Sequence, residues 1–203
     1  PCDGHFVNAF IKARVQYLQP DSDDQLFGNN QAWMSNLSLS FQNLSLLVID
    51  KPFVIGFSAD GLDPAFTDVF SLIPGKVKNM RLVQQPGNGS GNAALSPQPV
   101  IALMDLGNNT VVHAHGSAYI VSVTLNSLSG LPKGASIHGN SSVYPSRGQA
   151  LFTDLFVGTE HSQYFMVFHL TVNHTVLGEL GITTTSNVFS VSRGPPSALT
   201  LEQ

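Results

Sequence analysis

The chain is 203 residues long, 42% hydrophobic and only 11% charged, with a formal net charge of −4. Its nine Lys and Arg residues form no basic stripe, so we expect it to bind neither nucleic acid nor an anionic membrane surface. Its longest apolar runs are far shorter than the roughly 20 residues of a membrane-spanning helix. No membrane insertion is therefore expected within this segment.

Cysteine occurs once, at Cys2. Small secreted domains often carry paired cysteines, but a domain with a full-sized core does not need a disulfide. Cys2 is therefore either free or joined to a cysteine outside this segment, and we expect the second.

Short runs with apolar residues at every second position follow one another along the chain. This period of two is typical of β-strands with one buried face. The clearest runs are "HGSAYIVSVTL" (115–125) and "SQYFMVFHLTV" (162–172). Turn-forming clusters such as "QPGNGSGN" (85–92) and "HGNSS" (138–142) separate the runs, and no stretch has the apolar stripe and caps of a helix. The sequence therefore predicts an all-β chain of antiparallel β-sandwiches.

Two parts of the chain repeat each other. Setting "SFQNLSLLVIDKPFVIGF" (40–57) over "LFTDLFVGTEHSQYFMVF" (151–168) without a gap pairs aromatic and aliphatic residues along its length. After a loop of different length, "VFSLIPGKVKNMRLVQ" (69–84) aligns with "VFSVSRGPPSALTLEQ" (188–203), and residues 8–18 match 117–128 if a small gap is allowed. We expect the recurring phenylalanines to be core residues: Phe41, Phe57, Phe70, Phe152, Phe168 and Phe189.

The repeat sets the predicted domain boundaries. We expect residues 76–193 to form a complete repeat, with "NMRLVQQP" as its first strand and "NVFSVSR" as its last. Residues 1–75 contain the C-terminal part of a preceding repeat, because they have no equivalent of 76–112. Residues 194–203 supply the first strand of a following repeat.

A family resemblance rests on "QPVIALMDLGNNTV" (98–111), "GQALFTDL" (148–155), "YFMVF" and "NVFSV". This order of motifs resembles the tandem immunoglobulin-like or filamin-like repeats of large cell-surface or filamentous glycoproteins, of the fibrocystin-like or polycystin-like ectodomain type. The resemblance covers essentially the whole chain and implies a spacer role. The Cys…Trp…Cys arrangement of antibody domains is missing. In such a fold Tyr164 would take the place of the corner tyrosine, although its aligned partner Phe53 has no hydroxyl.

Six N-x-Ser/Thr sequons occur without proline at the middle position, which is more than we expect by chance. Polar turn residues are the alternative explanation for them. A glycosylated extracellular surface explains the set better, and the candidate acceptors are Asn36, Asn43, Asn88, Asn108, Asn140 and Asn173.

Other chemically suggestive residues have a simpler explanation. His113 and His115 have a spacing that suits metal ligands on one face of a strand, but no third ligand is visible, so we favour solvent-facing strand residues. Asp21, Asp23 and Asp24 form an acidic turn that lacks the Gly and the distal Glu of a known calcium loop. We therefore predict no metal and no cofactor.

Trp33 is the only tryptophan, and we expect it in the core or an interface, with a sugar-stacking platform as the alternative. No Ser/His/Asp set and no carboxylate pair is recognisable, and the residues around Ser90 do not have the G-x-S-x-G spacing of a nucleophile elbow. The sequence thus gives no sign of an enzyme.

These features predict a non-enzymatic structural or adhesive segment of a large glycosylated extracellular or cell-surface protein. It would act as a spacer or assembly module in a rod or filament, and neighbouring repeats or subunits would complete its partial repeats. The alternative is a ligand-binding module, for carbohydrate or protein, on the loops of the complete repeat.

Overall fold

A computed structural model describes residues 10–17, 26–33, 39–47, 52–172 and 181–194. Several predictions fall outside the described residues: Cys2, Asn36, Asn173, the acidic turn at 21–24 and all of the third segment except Gly194. The described residues form fifteen β-strands and one short 3-10 helix, Gly116–Ala118. The all-β prediction is confirmed.

The chain divides into two compact units, Pro1–Pro74 and Gly75–Gln203, called unit 1 and unit 2 below. Unit 1 contains a four-stranded antiparallel sheet with the spatial order β2-β1-β3-β4. Its strands are β1 (Phe10–Tyr17), β2 (Gln31–Trp33), β3 (Phe53–Ser58) and β4 (Ala65–Phe66). The central pairing, β1 with β3, sets Ala13 opposite Phe57.

Unit 2 contains three sheets. Its strands are β5 (Asn79–Gln84), β6 (Gly89–Ser90), β7 (Val100–Met104), β8 (Tyr119–Ser127), β9 (Ile137–His138), β10 (Ser142–Val143), β11 (Gln149–Leu151), β12 (Phe156–Val157), β13 (His161–Val172), β14 (Ile182–Thr185) and β15 (Phe189–Ser192). The largest sheet has the order β10-β8-β13-β15-β6, with β14 also paired to β13, and the others have the orders β11-β7-β5 and β12-β9. All pairings are antiparallel except that of β6 with β15.

Strand β13 shows why the alternating pattern produces this fold. Successive side chains of a strand point to opposite faces, so residues two apart share a face. In β13 the residues at every second position from Tyr164 to Leu170 are buried, among them Phe168, which the sequence predicts as a core residue, and those between them are partly exposed. The buried face of β13 lies in one apolar cluster with Val121, Val123 and Leu125 of β8.

The same cluster includes residues from the segment that precedes β8. Within unit 2, this segment contributes Val77, Met80, Leu95, Ile101, Leu103, Val111 and Ala114. They lie together with Met166, Phe168, Phe189 and Val191 from β13 and β15. The core of unit 2 is thus formed jointly by the large sheet and by the segment that carries β5, β6 and β7.

Two local predictions are wrong. His113 and His115 do not lie in a strand, because residues 111–115 form a turn and an irregular stretch before the 3-10 helix. Both side chains are exposed, whereas Ala114 between them is buried. The "QPGNGSGN" stretch is not wholly a turn either, because Gly89 and Ser90 form β6 and pair with β15. A glycine-rich strand has no alternating pattern by which sequence reasoning could detect it.

Candidate interaction surface

The two units contain matching aromatic contacts at aligned positions. In unit 1 the rings of Phe53 and Phe70 lie 6.0 Å apart with an interplanar angle of 36°. In unit 2 the aligned rings of Tyr164 and Phe189 lie 5.9 Å apart, also at 36°. A second pair matches in the same way, because Phe41–Phe57 are 5.4 Å apart and Phe152–Phe168 are 5.6 Å apart.

A hydroxyl contact also recurs, and it was not predicted from the sequence. The N–H of Ile55 donates to Thr67 Oγ1 at 3.0 Å. At the aligned positions of unit 2, the N–H of Met166 donates to Ser186 Oγ at 2.9 Å. In each unit the backbone N–H of the hydroxyl residue also bonds to the carbonyl oxygen of its partner, at 3.0 Å in unit 1 and 2.9 Å in unit 2.

Two glycines with positive φ occupy corresponding turns. Gly28 has φ +97°, and an added Cβ would collide with the carbonyl of Asn43. Gly139 has φ +92°, and an added Cβ would collide with the carbonyl of Asp154, which the alignment pairs with Asn43. A positive φ together with close backbone approach requires glycine at both positions.

The strand registers extend the correspondence to the N-terminal part of unit 1. Ile11 of β1 lies opposite Ala32, and Val121 of β8 lies opposite Val143. Ala13 accordingly corresponds to Val123, which lies opposite Phe168 as Ala13 lies opposite Phe57. This register fixes the small gap that the sequence comparison left open.

The units differ in how deeply the apolar residues at aligned positions are buried. Six apolar residues of unit 1 are only partly buried, although their aligned partners in unit 2 are buried. We call the set in unit 1 the open face: Phe41, Leu44, Ile55, Phe57, Phe70 and Leu72. The aligned residues of unit 2 are Phe152, Leu155, Met166, Phe168, Phe189 and Val191. The core prediction is therefore met by the three phenylalanines of unit 2 and only partly by those of unit 1.

In unit 2, strand β6 and the loop that follows it pack closely against Val191, one of these buried residues. Strand β6 lies beside β15, with Gly89 opposite Val191. A Cβ at Gly89 would meet Leu95 and Val191, so this glycine allows close packing there. The side-chain oxygen of Asn88 accepts hydrogen bonds from the N–H and the hydroxyl of Ser190, at 2.9 and 3.2 Å. In unit 1, residues 71–74 form no strand.

Asp105 anchors the segment of unit 2 that carries β5, β6 and β7, which we call the covering segment. Its side chain is 5% exposed, and its oxygens accept hydrogen bonds from the N–H groups of Gly75, Gly107 and Asn109 at 2.8–2.9 Å. Burial raises the pKa of the Asp105 carboxyl, but these hydrogen bonds together outweigh burial and hold the pKa below its ordinary value of 3.8. The carboxylate thus ties the start of unit 2, at Gly75, to the loop after β7.

Tyr164, the residue that the resemblance places at the corner, makes a hydrogen bond through its hydroxyl. Its hydroxyl donates to the carbonyl oxygen of Thr159 at 3.1 Å, a few residues upstream. Its ring is buried, and burial raises the pKa of the hydroxyl. Phe53, at the aligned position of unit 1, is buried without such a group.

Each unit presents an exposed aromatic side chain at the end of an edge strand. Trp33 closes β2 and is 63% exposed, so of the two predicted placements the core is wrong, and an interface stays a prediction. Tyr144 directly follows β10 at the aligned position and is 62% exposed. An edge strand has only one neighbour to cover its side chains, which explains why a large aromatic ring can remain in solvent there.

The four sequon asparagines within the described ranges, Asn43, Asn88, Asn108 and Asn140, are all exposed. Asn43 and Asn108 have positive φ, at 60° and 59°, which asparagine tolerates better than most residues. Asn140 lies beside Gly139 in the turn before β10. Each of the four is therefore accessible on its unit.

A serine–histidine contact was not predicted from the sequence. Ser127 Oγ lies 2.7 Å and Ser129 Oγ 3.2 Å from His161 Nε2, beside a cleft of about 390 Å³ lined in part by His161 and Ser190. Activation of a serine nucleophile needs a third group that orients the histidine. Among the residues that the structure describes, no carboxylate hydrogen-bonds to His161. Only the register of β8 against β13 brings these residues together.

Two further features bear on chemistry. Across the described ranges, no three His, Cys, Asp or Glu side chains are grouped in a way that could hold a metal ion. In the same part of the chain, no helix has the length and apolarity needed to cross a membrane.

No protein-family model matches the chain, and no curated protein matches it significantly. Inferences about function therefore rest on the contacts that recur at aligned positions of the two units.

Proposed function

We propose that this chain is a non-enzymatic structural or adhesive segment of a large glycosylated extracellular or cell-surface protein. In this proposal unit 2 contains one complete immunoglobulin-like β-sandwich repeat and unit 1 the C-terminal part of a preceding repeat of the same kind, and they act as spacers or assembly modules in a rod or filament. The single observation that carries the proposal is the recurrence of ring, hydroxyl and glycine contacts at aligned positions. Such a recurrence is the property of a repeated structural unit.

The sandwich assignment is supported by unit 2. Its core cluster combines residues of the large sheet with residues of the β11-β7-β5 sheet, as two packed sheets require. The Tyr164 hydrogen bond is the corner interaction typical of this fold.

The extracellular assignment is supported by the exposure of Asn43, Asn88, Asn108 and Asn140. The scarcity of charge agrees with a surface whose solubility depends on glycans. We propose that neighbouring repeats or subunits of the same assembly are the partners.

Secretion from a eukaryotic host tests the glycoprotein assignment. We expect the intact mass to fall when N-glycans are removed enzymatically. Ser142→Ala removes the Asn140 sequon and should lower the mass by one glycan, whereas Ser141→Ala changes only the middle position and should keep it. A chain that is secreted without any glycan would contradict the assignment.

Sequencing the flanking coding regions tests the repeat assignment. We expect further segments with the spacing of Phe41, Phe53 and Phe57 and a following hydroxyl residue equivalent to Thr67. Unrelated sequence on both sides would contradict an array.

A second candidate function, ligand binding, is favoured by one observation. Trp33 and Tyr144 are equally exposed at aligned positions, and exposed aromatic rings can stack on sugars or pack in protein interfaces. Binding to a glycan array that is lost in both Trp33→Ala and Tyr144→Ala would support this function. Unchanged binding in both variants would exclude these rings as its site.

A further inference from the structure

We infer that the open face of unit 1 is a docking site for an apolar antiparallel strand pair of the β5–β7 kind, supplied by a repeat of the same type. This inference rests on the proposed function, because it assumes that the two units are copies of one repeat. It goes further by naming the surface, the chemistry of the partner and the geometry of binding.

The first step is the chemistry of the open face. Phe53, Ile55 and Phe57 alternate along β3, so they share one face of the sheet. The rings of Phe41 and Phe70 contact Phe57 and Phe53 respectively, which extends the apolar surface on both sides of the strand. Partly exposed apolar side chains grouped in this way are typical of a surface that binds another protein.

The second step is the template that unit 2 provides. There the aligned residues, such as Met166 and Phe168, are buried in one cluster with Met80, Ile101 and Leu103. Met80 and Leu103 lie opposite each other in the β5–β7 pair. The partner of unit 1 is therefore expected to be a strand pair with apolar residues at alternate positions.

The third step identifies which of two neighbouring residues, Leu72 and Ile73, the docked strand pair should cover. Leu72 is partly buried and aligns with Val191, which lies in the core cluster of unit 2. Its neighbour Ile73 is 83% exposed and aligns with Ser192, which is also exposed. Docking should therefore bury Leu72 and leave Ile73 in solvent, and these two residues form a matched pair for a test.

The binding experiment uses the full 203-residue chain and a fluorescent synthetic peptide with the sequence of residues 75–114, which includes β5, β6, β7 and the Asp105 anchor. We expect saturable binding with one peptide per chain. Amide hydrogen exchange should slow at 53–58 and 65–72. Leu72→Asp should weaken binding by about tenfold or more, because it would bury an unpaired charge, while Ile73→Asp should change it by less than about twofold. A control peptide with Ile101→Asp and Leu103→Asp should not bind.

A second experiment tests the same docking without a free peptide. Residues 75–114 are fused to the N-terminus of the full chain through a Gly/Ser linker, with the doubly substituted segment as control. We expect the wild-type fusion to raise the unfolding midpoint reported by Trp33, and the control fusion to leave it unchanged.

Three results would overturn the inference. The first is an absence of both binding and stabilisation. The second is protection confined to unit 2, which would mean that the peptide exchanges with the strands already present there. The third is a dimer of the chain without peptide that Leu72→Asp dissociates, since the partner would then be the open face of a second copy. If the peptide does not bind but N-glycans and flanking repeats are found, only this inference fails and the proposed function stands. If the peptide binds but the protein has neither glycans nor flanking repeats, only the proposed function fails.

Discussion

Unit 1 and unit 2 share several contacts at aligned positions but differ in burial. The aligned pairs Phe53–Phe70 and Tyr164–Phe189 have nearly the same separation and angle, yet Phe70 is partly exposed and Phe189 is buried. The contacts within a sheet and its turns are therefore set locally by the repeated residues. Burial of the face depends instead on a separate covering segment, which in unit 2 carries β5, β6 and β7.

The largest expected effect tests this difference at aligned phenylalanines. Phe168→Ala should lower the free energy of unfolding of unit 2 by about 3–5 kcal/mol, because it leaves a cavity in a closed core. Phe57→Ala should cost unit 1 less than about half as much, because its ring is already partly in solvent. Hydrogen exchange resolved by unit provides both values in the full chain. Equal losses would show that the two cores are covered alike.

The next effect concerns the anchor that only unit 2 has among the described residues. Asp105→Ala should destabilise unit 2 by about 2–3 kcal/mol, because three backbone N–H groups lose a charged acceptor. Denaturant unfolding at pH 7 measures this loss. An unchanged free energy of unfolding would show that water replaces the carboxylate without cost.

The same carboxyl predicts a pH dependence confined to unit 2. Because its pKa is lower in the folded state, its contribution is present above the ordinary value of 3.8 and is lost as the pH falls through the folded pKa. The stability of unit 2 should therefore decrease below about pH 4, and Asp105→Asn should flatten this decrease. Titration of hydrogen exchange from pH 6 to pH 2.5 checks it, and an equally steep decrease in the variant would assign the effect to other groups.

A smaller effect tests the similarity of the units. Gly28→Ala and Gly139→Ala should each destabilise their own unit by more than about 1 kcal/mol, since both have positive φ and close backbone neighbours. Gly61→Ala is a suitable control, because it has positive φ but no atom near an added Cβ. A smaller loss of stability in Gly61→Ala would show how much of the loss at Gly28 and Gly139 comes from collision of the added Cβ with the backbone. A large loss in one unit and none in the other would break the correspondence of these turns.

The smallest effect concerns the corner hydroxyl. Tyr164→Phe removes the bond to Thr159 and should cost about 0.5–1.5 kcal/mol, while the ring contacts stay in place as they do around Phe53. Thermal unfolding of unit 2 measures this loss. A loss as large as that of Phe168→Ala would show that the hydroxyl holds more than one turn.

The strand framework could be predicted because alternation is a property of neighbouring residues. The burial of Tyr164, Met166, Phe168 and Leu170 follows directly from it. Trp33 could not be placed in the same way, because its exposure depends on its position at the end of an edge strand and not on its hydrophobicity. The hydroxyls of Thr67 and Ser186 are common residue types in turns, and only the register against β3 and β13 shows what they contact.

The lengths of the edge strands have a consequence for solubility. An unpaired edge invites strands of other molecules, and short or charged edges prevent this. Strands β2, β4, β6, β10 and β11, which lie at sheet edges, are two or three residues long, whereas the edge strand β5 has six. In and just before β5 lie Lys76, Lys78 and Arg81, three of the nine basic residues in the whole chain. A protein with so little charge thus has a third of its cations in or just before β5, the longest of these edge strands, where aggregation through backbone pairing could otherwise begin.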